Sequence, residues 1–291
     1  MKGKRLGGLA LGAALLVSSG CYDIEQFIKL NPDLGGEATL KIAVDMEAMI
    51  KVMAAMEKSF SGKEGDPTPE ELEKARAEFL EKNKKEKSEN EAEFAQKKKQ
   101  LEEKLPKGVT LKSVEMKDEG LRLEVNMTFA FDHVKKLAEI EFPKDEPPPG
   151  EEGMGGPPAG PGEGEPLQKP FEGLVVEETA DTIRIQAMPA NPAKDTKEAA
   201  GGGEGGEGGE GGEGGEGGGP PGMKKLVESA LGSMKVRFRI ESPLAVEKDN
   251  ATEKKEGSLI WLYDLAKLQE LEKAGKKPEG LGVDATFKKQ K

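Results

Sequence analysis

The chain is poor in the residues from which most active sites are built: one cysteine, one histidine and one tryptophan in 291 residues, with aromatic residues only 4% of the total. A lone cysteine, Cys21, forms no intramolecular disulfide in any compartment and rules out a CxxC redox or metal motif. A single histidine, His133, excludes zinc sites that need several His or Cys ligands. Excess positive charge is missing too. The formal charge is -11, so the chain repels polyphosphate and nucleic acid is not expected as a partner. There is neither a GxSxG elbow nor a P-loop. Carboxylates are so frequent that pairs arise by chance everywhere, and none stands out as a glycosidase-type pair. These absences predict a protein that is not an enzyme and holds no metal and no cofactor.

Hydrophobic residues make up 35% of the chain and charged residues 34%, while 39 Gly and 19 Pro gather in stretches that cannot pack a core. Pro143 to Pro170 is rich in Pro, Gly and Glu, with almost nothing to bury. From Gly201 to Gly219, Glu204, Glu207, Glu210, Glu213 and Glu216 recur at every third position within glycine. That period is collagen's, but the repeat has no proline to stiffen it, which predicts a flexible acidic linker. Two disordered insertions, 143–170 and 191–222, are therefore expected within one modest folded unit.

The amino terminus carries the most specific signal. Lys2, Lys4 and Arg5 precede an uncharged apolar run of 12 residues, Leu6 to Val17, and then the small residues Ser18, Ser19 and Gly20 before Cys21. That order is a secretory signal peptide, 1–20, and its apolar run is well short of the roughly 20 residues needed to span a bilayer. The segment Val17-Ser18-Ser19-Gly20-Cys21 resembles the lipobox of bacterial lipoproteins, matching at the two small positions before Cys21 and departing at Ser18, where Leu is usual. The resemblance implies a diacylglyceryl thioether on Cys21 as the first mature residue, and hence a membrane partner through that lipid. Tyr22, rather than Asp, follows the cysteine, which under a Gram-negative sorting rule leans toward the outer membrane. The plainer alternative is an ordinary secretory signal cut near Gly20, leaving a free thiol.

Beyond Cys21, periodicity predicts an α+β fold of antiparallel hairpins forming a sheet with packed helices. Phe27 to Leu30 and Ala38 to Val44 alternate about a turn at Asn31-Pro32-Asp33. Asp45 stands as an N-cap before Met46, Met49, Ile50, Met53, Met56 and Phe60, the stripe of an amphipathic helix. Glu70 to Lys104 is charge-dense and reads as one long helix, or half of a helical hairpin, frayed over Asn83 to Glu93 where there is little to bury. Val109 to Lys117 and Leu121 to Phe131 form the clearest hairpin, followed by a short helix from Asp132 to Ile140. A further hairpin, Leu174 to Ile185, falls within 171–190. After a short helix from Met223 to Leu231 come strands at Lys235 to Ile240 and Ser258 to Tyr263, and a last helix capped by Asp264 and stopped at Gly275. Hairpins this small do not stand alone, so 21–142, 171–190 and 223–291 are read as one discontinuous domain.

A second resemblance rests on turn chemistry. Asn31-Pro32-Asp33, Gly35-Gly36, Pro243, Asn250-Ala251 and Trp261 look like the corresponding turns and Trp-bearing strand of LppM-like envelope lipoproteins, with Leu34 where Gly is expected. These motifs cover about a third of the chain, bear on fold and transfer no catalytic residue.

Candidate ligand-binding residues are few. Met46, Met49 and Met53, with Met56, offer soft thioethers or an adaptable surface, although spacing at three and four is also what packing on a sheet demands. Trp261 and Tyr263 share one strand face, as a stacking platform or as core. His133 has no evident nucleophile or orienting partner and reads as a surface or capping residue. Two functional readings follow. One is a lipid-anchored, non-enzymatic binding or scaffold protein of the cell envelope with an unidentified envelope protein as partner. The other is a carrier whose Met46, Met49, Met53 and Trp261 line a cavity for a lipid or other apolar ligand.

Overall fold

A computed structural model describes residues 21–62, 65–143, 169–189, 234–274 and 281–290. Both predicted insertions and the Met223 to Leu231 helix lie outside these residues, apart from the insertion ends at 143, 169 and 170, and so do the signal segment and Gly275. The architecture is α+β, as the periodicity predicts, but with two sheets instead of one. In chain order the elements are β1 (Cys21–Leu30), β2 (Gly36–Asp45), α1 (Met46–Phe60), α2 (Pro69–Lys104), β3 (Val109–Asp118), β4 (Arg122–Phe131), a 3-10 turn (Val134–Glu139), β5 (Val175–Glu178), β6 (Thr182–Ala187), β7 (Lys235–Glu241), β8 (Val246–Asp249), β9 (Glu253–Lys255), β10 (Ser258–Asp264), α3 (Leu265–Ala274) and β11 (Val283–Lys288). The larger sheet has the order β3-β4-β2-β1-β7-β10-β9, the smaller β5-β6-β11-β8.

Alternation sets the inner face of the large sheet. Ile24, Ile28 and Leu30 of β1, Ala38 and Leu40 of β2, Phe129 of β4, Val236, Phe238 and Ile240 of β7, and Leu259, Trp261 and Tyr263 of β10 are all buried. The register lines them up in rows, one of which runs Met127, Leu40, Gln26, Phe238, Trp261 across five strands. Ile183 and Ile185 of β6, Ala285 and Phe287 of β11, Val134 and Leu137 of the 3-10 turn, Leu101 of α2 and Leu268 of α3 join the same hydrophobic cluster. Burial of this apolar surface, worth about 25 cal/mol per Å², is the main force holding the layers together.

One polar side chain sits inside that row. Gln26 is fully buried, and its Nε2 donates to the Pro170 carbonyl, which ties the return from the first insertion to the central strand. An unpaired amide there would cost about 1–3 kcal/mol.

The outer face of the large sheet is a mosaic of neutralising pairs. Lys41 meets Glu124 at 2.9 Å, Arg122 meets Asp23 at 3.3 Å, Lys29 meets Glu241 at 3.5 Å and Arg237 meets Glu25 at 3.6 Å. Arg239 lies 4.6 Å over the Phe27 ring and donates to Ser258 Oγ. Exposed pairs of this kind add little stability, but they leave the face without a field of one sign.

The β1–β2 turn explains its own sequence. A Cβ on Gly36 would lie 2.0 Å from the Lys29 carbonyl oxygen, so only glycine fits. Leu34, where the resemblance expects Gly, has φ of 69°. Its side chain is buried in the core and its carbonyl accepts from Val134 N at 2.9 Å, which offsets the left-handed strain.

Two expectations change. The long helix is unbroken through Asn83 to Glu93: Thr68 and Glu71 form a capping box at its start, and Leu101 is packed in the core near its end. A helix fixed at both ends needs no burial at its centre, where pairs such as Lys85 with Glu81 at 2.7 Å suffice. The segment after Asp132 is a 3-10 turn instead of an α-helix, and His133 is its N-cap, in keeping with its reading as a capping residue, Nδ1 accepting from Lys135 N at 3.2 Å.

The two sheets are stitched by Asn250. Its Oδ1 accepts from Trp261 Nε1 at 2.7 Å in the large sheet and from Asp284 N at 3.0 Å in the small one, while its Nδ2 donates to Gly282 O at 2.7 Å. Asn250→Ala leaves the buried indole N–H and the Asp284 N–H without that acceptor, each at a cost of about 1–3 kcal/mol. Urea unfolding is expected to show a lower midpoint with an unchanged m-value; an unmoved midpoint would show that the stitch is dispensable.

Candidate functional site

Cys21, on which the expected export signal ends, lies in the central strand. Cys21 is the first residue of β1, standing opposite Asp45 of β2, which in turn stands opposite Arg122 of β4. Two residues later, Asp23 pairs with Lys235 and begins the parallel ladder to β7. The backbone of Cys21 is thus itself paired in the sheet. The side chains of Cys21 and Tyr22 lie outside the described residues.

Beside this end stands a helical hairpin. The first helical N–H, from Met46, donates to Leu121 O at 2.8 Å, at the β3–β4 turn. Asp45 caps the helix as predicted, Oδ1 accepting from Glu47 N at 2.9 Å. Arg76 of α2 grips Glu47 of α1 with both Nε, at 2.9 Å, and Nη2. These hydrogen bonds hold the Glu47 carboxyl below its ordinary value. Lys58 meets Glu71 at 3.3 Å and donates to the Asp66 carbonyl at 2.7 Å, closing the tip.

The four candidate ligand-binding residues have different environments. Met46 is buried at 6% exposure and Trp261 at 2%, both within the hydrophobic core, whereas Met53 is 52% exposed. The Met49 side chain lies outside the described residues. Trp261 spends its one donor on Asn250 and meets Phe238 edge-on, centroids 6.2 Å apart. It is a core anchor, as is Tyr263, whose hydroxyl is buried and whose pKa is raised by that burial.

At the opposite end of β1 an open groove of about 500 Å³ is lined by Lys29, Asn31, Asp33, Gly36, Glu37 and Asp132, among others. Lys29 is engaged by Glu241, Glu37 by Lys112, and Asp33 Oδ1 accepts from Gly35 N at 3.2 Å. Among the described residues no group of three or more His, Cys, Asp or Glu is placed to hold a metal ion.

His133 is drawn into an ion-pair hub that sequence reasoning missed, because its members come from three distant segments. Its Nε2 lies 3.1 Å from Glu178 Oε1, which Lys135 meets at 2.7 Å, while Lys289 meets Oε2 at 3.1 Å. The Arg76–Glu47 clamp was missed for the same reason: no local pattern announces a pair across two helices.

No protein-family model matches the chain, and no curated protein does. Among solved structures it is similar to the folded domain of LppM from Mycobacterium tuberculosis, determined by NMR, with a TM-score of 0.37 and 9% identity over 99% of this chain and 95% of that one. A likeness of that degree assigns no residue and no activity.

The hub has a pH signature. Hydrogen bonds from Lys135 and Lys289 outweigh burial and pull the Glu178 carboxyl from 4.5 down to about 2. Its folded value lies below its unfolded one, so its contribution is fully present above pH 4.5 and is lost as pH falls toward 2. Glu178→Gln is expected to flatten the fall in urea stability across that window. Parallel curves for the two proteins would show that the hub contributes nothing.

Proposed function

We propose that the chain is a lipid-anchored protein of the bacterial cell envelope, held to a membrane through a diacylglyceryl thioether on Cys21, and that its α+β domain is a non-enzymatic binding or scaffold module. The observation that carries this reading is that Cys21, the residue to which the charged n-region, apolar run and small residues lead, is itself paired in the central strand, opposite Asp45. An anchor at that position joins the lipid to the middle of the largest sheet. Among the described residues no helix is long and apolar enough to cross a membrane, which fits attachment by lipid. One acyl chain binds only marginally, whereas the two of a diacylglyceryl group hold firmly, at about 0.8 kcal/mol per buried methylene.

The non-enzymatic reading is supported by how the polar residues are used. His133 caps and pairs, Arg239 stacks, and Glu47 and Glu178 are clamped by cations. The carrier alternative requires Met46, Met49, Met53 and Trp261 around one cavity, whereas Met46 and Trp261 are packed in the core and Met53 stands at the surface. The scaffold reading is therefore preferred. The partner in the envelope is a binding protein or ligand to be found by crosslinking in intact cells, and the outer membrane is the favoured location from Tyr22.

Cells expressing Cys21→Ala and grown with labelled fatty acid are expected to give no label in this protein, which then accumulates unprocessed or leaves the membrane fraction. Undiminished labelling of the variant would overturn the assignment.

A further inference from the structure

We infer that the α1–α2 hairpin is a second membrane contact, laid against the lipid interface by the same end of the sheet that carries Cys21. The inference rests on the anchor reading above and adds to it a surface and an orientation.

The geometry follows from matching lengths. Leu80 of α2 packs at the β3–β4 turn, its Cδ2 lying 3.2 Å from where a Cβ on Gly120 would be. From Leu80 to Leu101 the helix advances about 31 Å at about 1.5 Å per residue. β3, ten residues long, covers about 33 Å. The helix thus runs the length of β3, antiparallel to it, and its carboxyl end returns to Val109 at the far end. Everything from Pro69 to Leu80 is then excess length, about 16 Å of helix beyond the sheet.

The excess lies at the Cys21 end. Cys21, Asp45 and Arg122 stand side by side across β1, β2 and β4, and the β3–β4 turn immediately precedes Arg122. α1 starts from this level, with Met46 bonded to Leu121. It then accompanies the excess length of α2, Glu47 beside Arg76 and Lys58 beside Glu71, so the closed tip between α1 and α2 is the part farthest from the sheet.

A tethered domain could swing this projection away from the membrane. Here the anchor residue is itself a strand residue, its backbone paired opposite Asp45. A bilayer at Cys21 therefore meets the hairpin, either as the tip enters the headgroups or as the domain tilts until α1 rests on them. α1 has apolar surface to offer: Met53 is 52% exposed, one of three large hydrophobic residues so exposed among those described. The hairpin lies at the interface, since no described helix is apolar enough to span. The groove at Asn31 to Gly36, at the other end of β1, then points away from the membrane.

The chain's single cysteine makes the test direct, because a thioether on Cys21 leaves any introduced cysteine as the sole free thiol. Full-length Met53→Cys and Asn31→Cys, both at exposed positions, would be purified from membranes, labelled with bimane and reconstituted in phosphatidylethanolamine–phosphatidylglycerol vesicles containing a lipid with a nitroxide near its headgroup. Intact mass would be measured on each. With the lipid mass present, the label at position 53 is expected to be quenched several-fold more than the label at 31. Equal quenching at the two positions, or none at 53, on lipidated protein overturns the hairpin contact and leaves the anchor standing. An unmodified Cys21 overturns the anchor and the contact together.

Discussion

Among the described residues, the two halves of the large sheet are joined by the parallel ladder between β1 and β7, from Asp23 with Lys235 to Lys29 with Glu241. On one side stand the local hairpins β1–β2 and β3–β4, joined edge to edge by β2 and β4; on the other stand β7, β9 and β10, which come after both insertions. Parallel strands need a crossover, and here the connection includes the hairpin β5–β6 of the second sheet. The inner rows that pass through this ladder carry Ile24, Gln26 and Ile28 against Val236, Phe238 and Ile240. Without the ladder these rows would expose the core. The second sheet would also lose the surface it packs on, since Asn250 ties it to Trp261 of β10.

Much of the fold is legible in the sequence because hairpins announce themselves locally. Leu121, Leu123, Val125, Met127, Phe129 and Phe131 alternate over their whole length and point to one face, and Asp45 caps α1 as its position predicts. The first half of β1 carries no clear strand pattern, because the inward position between Ile24 and Ile28 is Gln26, a polar residue whose partner lies 144 residues away. β11 is faint in the sequence although Val283, Ala285 and Phe287 alternate inward; three apolar positions beside a glycine-rich approach make a weak signal. The pairing of β1 with β7 has no local signature at all, since register between distant strands is decided by the core they share.

The candidate site was legible in part for a similar reason. A charged n-region, an apolar run and small residues before Cys21 form a contiguous pattern. The role of the α1–α2 hairpin depends on two lengths, that of α2 and that of β3, and becomes visible only when Leu80 is seen against Gly120. Met46, Met53 and Trp261 share residue types that suit a ligand, but burial separates them: two belong to the core and one to the surface. The outer face of the large sheet pairs its charges locally, Lys41 with Glu124 and Arg122 with Asp23 among them, while the chain as a whole keeps its acidic excess of -11.

In the proposed function one residue, Cys21, is the end of the export signal and the point of lipid attachment while its backbone is paired in the central strand. This claim is tested most directly by intact-mass and amino-terminal peptide analysis of the membrane-bound protein. The account predicts a mature chain beginning at Cys21 and heavier than its sequence by a diacylglyceryl group. A mature chain beginning elsewhere, or a Cys21 with a free thiol, would contradict it.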